Sequence, residues 1–136
     1  MALWLFKEEP SAYSFADLQR DGSTLWSGVT NALAQKHLRS VRKGDRIFFY
    51  QTGQQKAIVG VMVAAADPVP DPNDDSGQRV VVTVQPLYAL KSPVTLAAIK
   101  ADPAFASWEL VKQPRLSVMP VPEKLWERIE KLSNGS

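Results

Sequence analysis

Two apolar stretches, "RIFFYQ" (46–51) and "AIVGVMVAAA" (57–66), most constrain what this chain can fold into. Thr52-Gly53-Gln54-Gln55 between them supplies a turn, so the pair reads as a β-hairpin. Gly60 inside the second stretch predicts a bulge or a close backbone approach. A third strand, Ala2–Lys7, carries Trp4 and Phe6 on one face and Leu3 and Leu5 on the other. Being apolar on both sides, it belongs in the middle of a sheet. "RVVVTVQPLYAL" is another long strand, with Pro86 predicting an edge or a bulge, and "RLSVMPV" holds a last short one.

Helices surround these strands. Ser14-Phe15-Ala16-Asp17 has the spacing of a capping box, with aspartate in the usual place of Glu or Gln, and predicts a short helix ending at Asp21-Gly22. Asn31 suits the N-cap of a second helix of about ten residues, with Leu33, Ala34, His37, Leu38 and Val41 inward and Lys36, Arg39 and Lys43 outward. Thr95–Ala101 is a further short helix. Pro122, at an N1 position, opens the C-terminal helix "EKLWERIEKL", striped by Leu125, Trp126, Ile129 and Leu132. Strands crowd the middle of the order, so the fold class is α+β, built around a small mixed, barrel-like sheet. The length of 136 residues fits one domain, 1–136.

Composition removes several chemistries. There is no cysteine and one histidine, which leaves no parts for disulfides, thiolate metal sites or Cys–His catalysis. His37, at helical spacing from Leu33 and Val41, is expected to be a partly buried structural residue. In "DPNDDSG", Asp71, Asn73 and Asp75 match the first ligands of a calcium loop. The glycine comes one place late, however, and Val82 stands where a bidentate glutamate is needed, so an acidic turn is the better reading. Glu8, Glu9 and Asp45 are the carboxylates that would have to converge for catalysis. No cofactor or metal is expected. The start "MALWLFKEEP" lacks the pattern of a signal peptide, and no stretch has the roughly 20 apolar residues of a membrane span. The expectation is a cytoplasmic, monomeric protein without a membrane partner.

The net charge of +2 hides an uneven distribution. Lys36, Arg39, Arg42, Lys43 and Arg46 cluster against the single carboxylate of Asp45, while Asp67, Asp71, Asp74 and Asp75 form an acidic loop. A basic patch on a nearly neutral chain suits a polyanion, and it equally suits a solvated helix face. Tyr13, Trp26 and Tyr50 sit at element ends, where binding groups are commonly held. Lys7, Glu9, Asn31, Gln51 and Thr52 stand near them in sequence. Aromatic faces with amides and carboxylates alongside are what a planar, hydrogen-bonding base needs. From the residues alone, Trp26 is either a wall of such a pocket or a core plug, and Asn31 either reads a ligand or only caps its helix.

The series "WLFKEEP", "YSFADL", "LWSGVTN", "VRKGDRIFFYQTG", "AIVGV", "SPVTLAAIK" and "RLSVMPV" resembles the EVE domain, of the PUA-like superfamily, over nearly the whole chain. The resemblance implies a PUA-like mixed β pseudobarrel flanked by short helices and related to the YTH domains that read methylated adenine in RNA. It also implies a non-catalytic domain that reads a flipped-out modified base, cytosine or adenine, in DNA or RNA. By position, Lys7, Glu9 and Pro10 match the family's W-x-x-K-S-E-P. Trp26, Gly28, Val29 and Asn31 match W-D-G-V-R-N, and Tyr50 matches F-Y-H-S, with Gly53 in the turn beyond.

In this reading Trp26 stacks on the base, with Tyr13 or Tyr50 opposite or alongside. Lys7, Glu9, Asn31 and Gln51 read its edge, and Gly28 and Val29 bring backbone close. Lys36, Arg39, Arg42 and Lys43 face phosphates. Glu8, Ser27, Thr30 and Gln51-Thr52 depart from the family's serine, aspartate, arginine and His-Ser. A sensor of free nucleotides or small molecules, and an enzyme using Glu9 or Asp45 on a modified base, are the alternatives.

Overall fold

The computed structural model describes residues 1–135. In chain order the elements are β1 (Leu3–Glu8), α1 (Phe15–Asp21), β2 (Thr24–Trp26), α2 (Ala32–Ser40), β3 (Arg46–Gln51) and β4 (Ala57–Ala64). They continue with β5 (Val69–Pro70), β6 (Val80–Thr95), α3 (Leu96–Lys100), a 3-10 turn at Pro103–Phe105, α4 (Glu109–Lys112), β7 (Val118–Pro120) and α5 (Glu123–Ser133).

The strands form a mixed sheet in the order β2-β6-β4-β3-β1-β7, with β5 adding to β6. β1 and β3 pair in parallel, and every other neighbouring pair is antiparallel. β1 is flanked on both sides, as its two apolar faces predict. The sheet curls into a half-barrel with short helices around it. Bulges assist the curl: the β3–β4 register shifts at Phe49/Tyr50, and the β4–β6 register shifts twice, the second time opposite Pro86. Gly60 lies at the other shift. A Cβ built on it would meet the Phe15 ring at 2.4 Å, so only glycine lets α1 lie this close to the sheet.

Local chemistry sets the helix ends. Ser14 and Asp17 form the reciprocal capping box, and Gly22 closes α1 at φ 81°. The Asn31 side chain accepts from the Ala34 N–H at 3.0 Å, a cap worth about 0.5–2 kcal/mol. The core spans both faces of the sheet. Phe48 stacks on Trp126 of α5 at 3.6 Å between centroids, while Phe15 of α1 meets Phe49 edge-on.

Several expectations need correction. Trp26 belongs to a short strand that no sequence pattern announces: Thr24–Trp26 pairs with Val82–Val84 of β6, and three residues are too few to display a strand's alternation. Leu33 is exposed, and Gln35 takes the inward position because its amide is fully used. Gln35 donates to Val29 O and Val80 O and accepts from Val80 N–H. Pro122 is the N-cap of α5 rather than N1. The acidic loop contributes the short β5.

Candidate functional site

Parallel pairing makes β1 and β3 end side by side, with Lys7 opposite Tyr50 and Glu8 opposite Gln51. The Thr52 N–H then closes the pair by donating to Glu8 O at 2.9 Å. Because side chains alternate along a strand, Lys7 and Tyr50 share one face and Glu8 and Gln51 the other. This parity divides the residues expected to form one pocket.

On the Lys7 face lies a cavity of about 260 Å³. Lys7, Tyr50, Thr52 and Gly53 line one side, and Lys56, Leu96, Lys100, Leu110 and Pro114 complete it. The half-buried Lys7 ammonium donates to Pro114 O at 2.9 Å and stands 5.5 Å from the Tyr50 ring centroid. Burial pulls the Lys7 pKa below its usual value and pushes that of Tyr50 up, so the phenol stays neutral at physiological pH. Tyr50 is only 3% exposed. Its hydroxyl has no partner among the described residues, and no buried side-chain polar atom there lacks one. The Tyr50 hydroxyl therefore keeps some access to solvent. Across Pro114 lies a second hollow of about 280 Å³, bordered by Asn31, Leu33, Arg115 and Leu116. Asn31 thus caps α2 and borders this hollow, its amide nitrogen having no partner among the described residues.

On the Glu8 face a hollow of about 230 Å³ is bordered by Glu8, Tyr13, Thr24, Trp26 and Ser27. Trp26 is 3% exposed, edge-on to Phe49 at 5.4 Å and tilted against Phe6 at 5.3 Å. Its indole packs mainly as a core wedge. Tyr13 is half-buried, donating to Asp21 Oδ2 at 2.9 Å, and burial is the main reason its pKa is raised. Trp26 and Tyr13 share a hollow, whereas Trp26 and Tyr50 are separated by the sheet.

The remaining expected ligands are mostly committed elsewhere. Gln51 accepts from Phe15 N–H at 2.9 Å and donates to Gln55, tying α1 to the end of β3. Glu9 accepts from Thr52 Oγ1 at 3.1 Å and lies against Gly53, where a Cβ would stand 3.0 Å from its Oε1. Pro10 follows in a turn in which Glu9 O accepts from Ala12 and Tyr13 N–H. Gly28, at φ 76°, has open space around it, while Val29 is buried with its carbonyl taken by Gln35.

The basic helix also divides. Lys36 lies on the exposed side of α2, and Arg39 donates to Gln78 O at 2.9 Å. Arg42 and Lys43 stand just before β3 begins, the end opposite the cavity. The Arg42 guanidinium donates to Arg39 O and Val41 O, and the Lys43 backbone N–H donates to Asp67. Most of β3 lies between them and Tyr50, roughly 13 Å from Arg46 onward at about 3.3 Å per residue. Lys56 and Lys100 line the cavity instead. Nothing in their sequence neighbourhoods marks them, since the tertiary fold alone sets α3 beside the hairpin turn.

The three carboxylates considered for catalysis do not converge. Asp45 is buried before β3, accepting from Ala2 N–H, Trp4 Nε1 and Arg42 N–H at 2.8–3.0 Å. Glu8 and Glu9 sit at the other end of β1. His37 packs near the Trp4 ring at 6.2 Å, and burial is the main cause lowering its pKa. Among the described residues no group of three or more His, Cys, Asp or Glu is placed to hold a metal ion, and no helix is long and apolar enough to cross a membrane.

A curled mixed half-barrel with short flanking helices is the PUA-like architecture. The chain belongs to the EVE domain family, whose model matches residues 2–132. A Rhodopseudomonas palustris protein solved by NMR is 40% identical, with a TM-score of 0.94 over 98% of this chain and 94% of its own. Thymocyte nuclear protein 1 of Gallus gallus is 28% identical over 155 residues, covering 89% of this chain. The chain spans 64% of that protein's length and 55% of the human protein's. The structure of human THYN1 in complex with DNA containing 5-methylcytosine superposes with a TM-score of 0.89 at 23% identity, covering 98% of each chain.

Proposed function

We propose that this chain is a non-catalytic nucleic-acid-binding domain that takes one extruded, modified base into the cavity beside Tyr50. The observation that carries this reading is the cavity's composition. Its apolar walls, Leu96, Leu110 and Pro114, surround a half-buried donor-only cation, Lys7, and an unpartnered tyrosine hydroxyl. A volume of about 260 Å³ lies below the roughly 300–1,000 Å³ of drug-sized sites, as suits a single base. Lys7 would donate to a carbonyl or ring nitrogen on the base edge, and Asn31 would contact the strand across Pro114. Lys36, exposed on α2 and the cation there closest in sequence to Asn31, would meet a phosphate farther along the strand, whereas Arg42 and Lys43 stand at the far end of β3. The DNA in the human relative's complex supports the ligand class.

Oligonucleotides bearing different modified cytosines and adenines, in DNA and RNA, test the proposal. Burying one added methyl is worth about 0.8 kcal/mol, so preference for a methylated over a plain base should be about fourfold or more. Equal affinity across the panel, or affinity indifferent to Lys7→Met, would sink the reading. Free nucleosides binding as tightly as oligonucleotides would favour a small-molecule sensor using the same cavity.

A further inference from the structure

The cavity is lined by three lysines, Lys7, Lys56 and Lys100, and by no carboxylate. Among the described residues the ion pairs join Arg20 to Asp17 and Asp21, and Arg128 to Asp102, so none of the three lysines is charge-paired. Unneutralised cations around one hollow repel each other and concentrate anions. Their depths differ: Lys7 is half-buried, whereas Lys56 and Lys100 are exposed.

Lys56 carries a second signal. At φ 44° it is the only non-glycine residue with positive φ among the described residues. Glycine would make that turn without strain, yet a lysine holds the position. Its carbonyl accepts from Leu96 N–H at 2.8 Å, which ties the hairpin turn to the first residue of α3. Lys100 is the last residue of that same five-residue helix, so both cations are presented by connected, ordered backbone.

We propose that Lys56 and Lys100, with Lys7 behind them, form a phosphate clamp at the cavity mouth. The unit admitted is then a nucleotide with its phosphate, rather than a bare base or nucleoside. The inference rests on the base-binding reading of this cavity and adds the part of the ligand that stays at the rim.

Calorimetric titration of the full chain with deoxycytidine and with its 5′-monophosphate tests the clamp. The monophosphate should bind at least tenfold tighter, and the difference should vanish in the K56Q/K100Q double variant. For a single-stranded oligonucleotide carrying 5-methylcytosine, the double variant should flatten the slope of log affinity against log salt by about 1.4, roughly 0.7 per cation. Neutral methylphosphonate linkages beside the modified base should weaken the native protein and leave the double variant unaffected. Lys56→Gly, which relieves the positive φ, should weaken binding without lowering the melting temperature and so separates lost charge from lost fold.

The clamp is overturned if nucleoside and monophosphate bind alike, if neither binds, or if the double variant keeps the difference. Monophosphate binding with the expected lysine dependence, but no oligonucleotide binding, would retain the clamp for a free nucleotide and remove the nucleic-acid reading. Modified-base discrimination with no effect of the neutral linkages would do the reverse.

Discussion

The Lys7 ammonium lies 5.5 Å from the ring centroid of Tyr50, its register partner in the parallel β1–β3 pair. No carboxylate among the described residues is close enough to form an ion pair with this half-buried cation, and its one hydrogen bond goes to a backbone carbonyl. Burial lowers the Lys7 pKa, so in the folded state the charged form is disfavoured. The unfolded chain then binds more protons in the window just below the usual lysine value, and stability rises with pH there. At neutral pH the charge costs stability. Lys7→Met should therefore melt at or above the native temperature at pH 7 and lose part of the alkaline gain. Its affinity for a modified-base oligonucleotide should fall at least tenfold. Paired melting and titration curves check this, and a large drop in melting temperature would contradict it.

Trp26 is wedged between Phe6 and Phe49, which predicts a structural phenotype. Trp26→Ala should cost about 3–5 kcal/mol, the usual range for an aromatic truncated in a core. Trp26→Phe should keep both the fold and base discrimination. Denaturant midpoints beside the oligonucleotide panel decide the matter: a well-folded Trp26→Ala protein blind to modification would return Trp26 to the pocket wall.

Phe15 leaves no room for a side chain at Gly60. Gly60→Ala would place a methyl 2.4–2.6 Å from three atoms of its ring and should destabilise by about 1–3 kcal/mol. Phe15→Leu added to Gly60→Ala should recover part of that loss, because a smaller side chain can yield. Additive losses in chemical denaturation would show that the two positions do not conflict.

Arg42 and Lys43 stand at the far end of β3 from the cavity. Their joint replacement by alanine should leave affinity and its salt dependence unchanged, whereas Lys36→Ala should weaken binding uniformly across sequences. A flattened salt slope in the Arg42/Lys43 variant would move the nucleic-acid face toward the start of β3.

Much of this fold was legible along the chain, wherever the deciding interactions are between near neighbours. The Ser14–Asp17 capping box, the Asn31 cap, the 46–66 hairpin and the two apolar faces of β1 depend on spacings of a few residues, which side-chain chemistry sets directly. Trp26 was not legible in this way. Its three-residue strand has no period of its own and exists only because β6 offers an edge. Gln35 escaped notice because its buried amide is satisfied by Val80, far along the chain.

The site divides along the same line. Short motifs identified Lys7, Trp26, Asn31 and Tyr50 as the residues to watch. Register and strand parity, which no local motif contains, decided their grouping. Parallel pairing of β1 with β3 puts Lys7 and Tyr50 on one face and leaves Trp26 and Tyr13 on the other. The contact of Lys56 with the start of α3 then brings Lys56 and Lys100 to that cavity. Local chemistry chose the elements, and long-range backbone pairing chose which side chains meet.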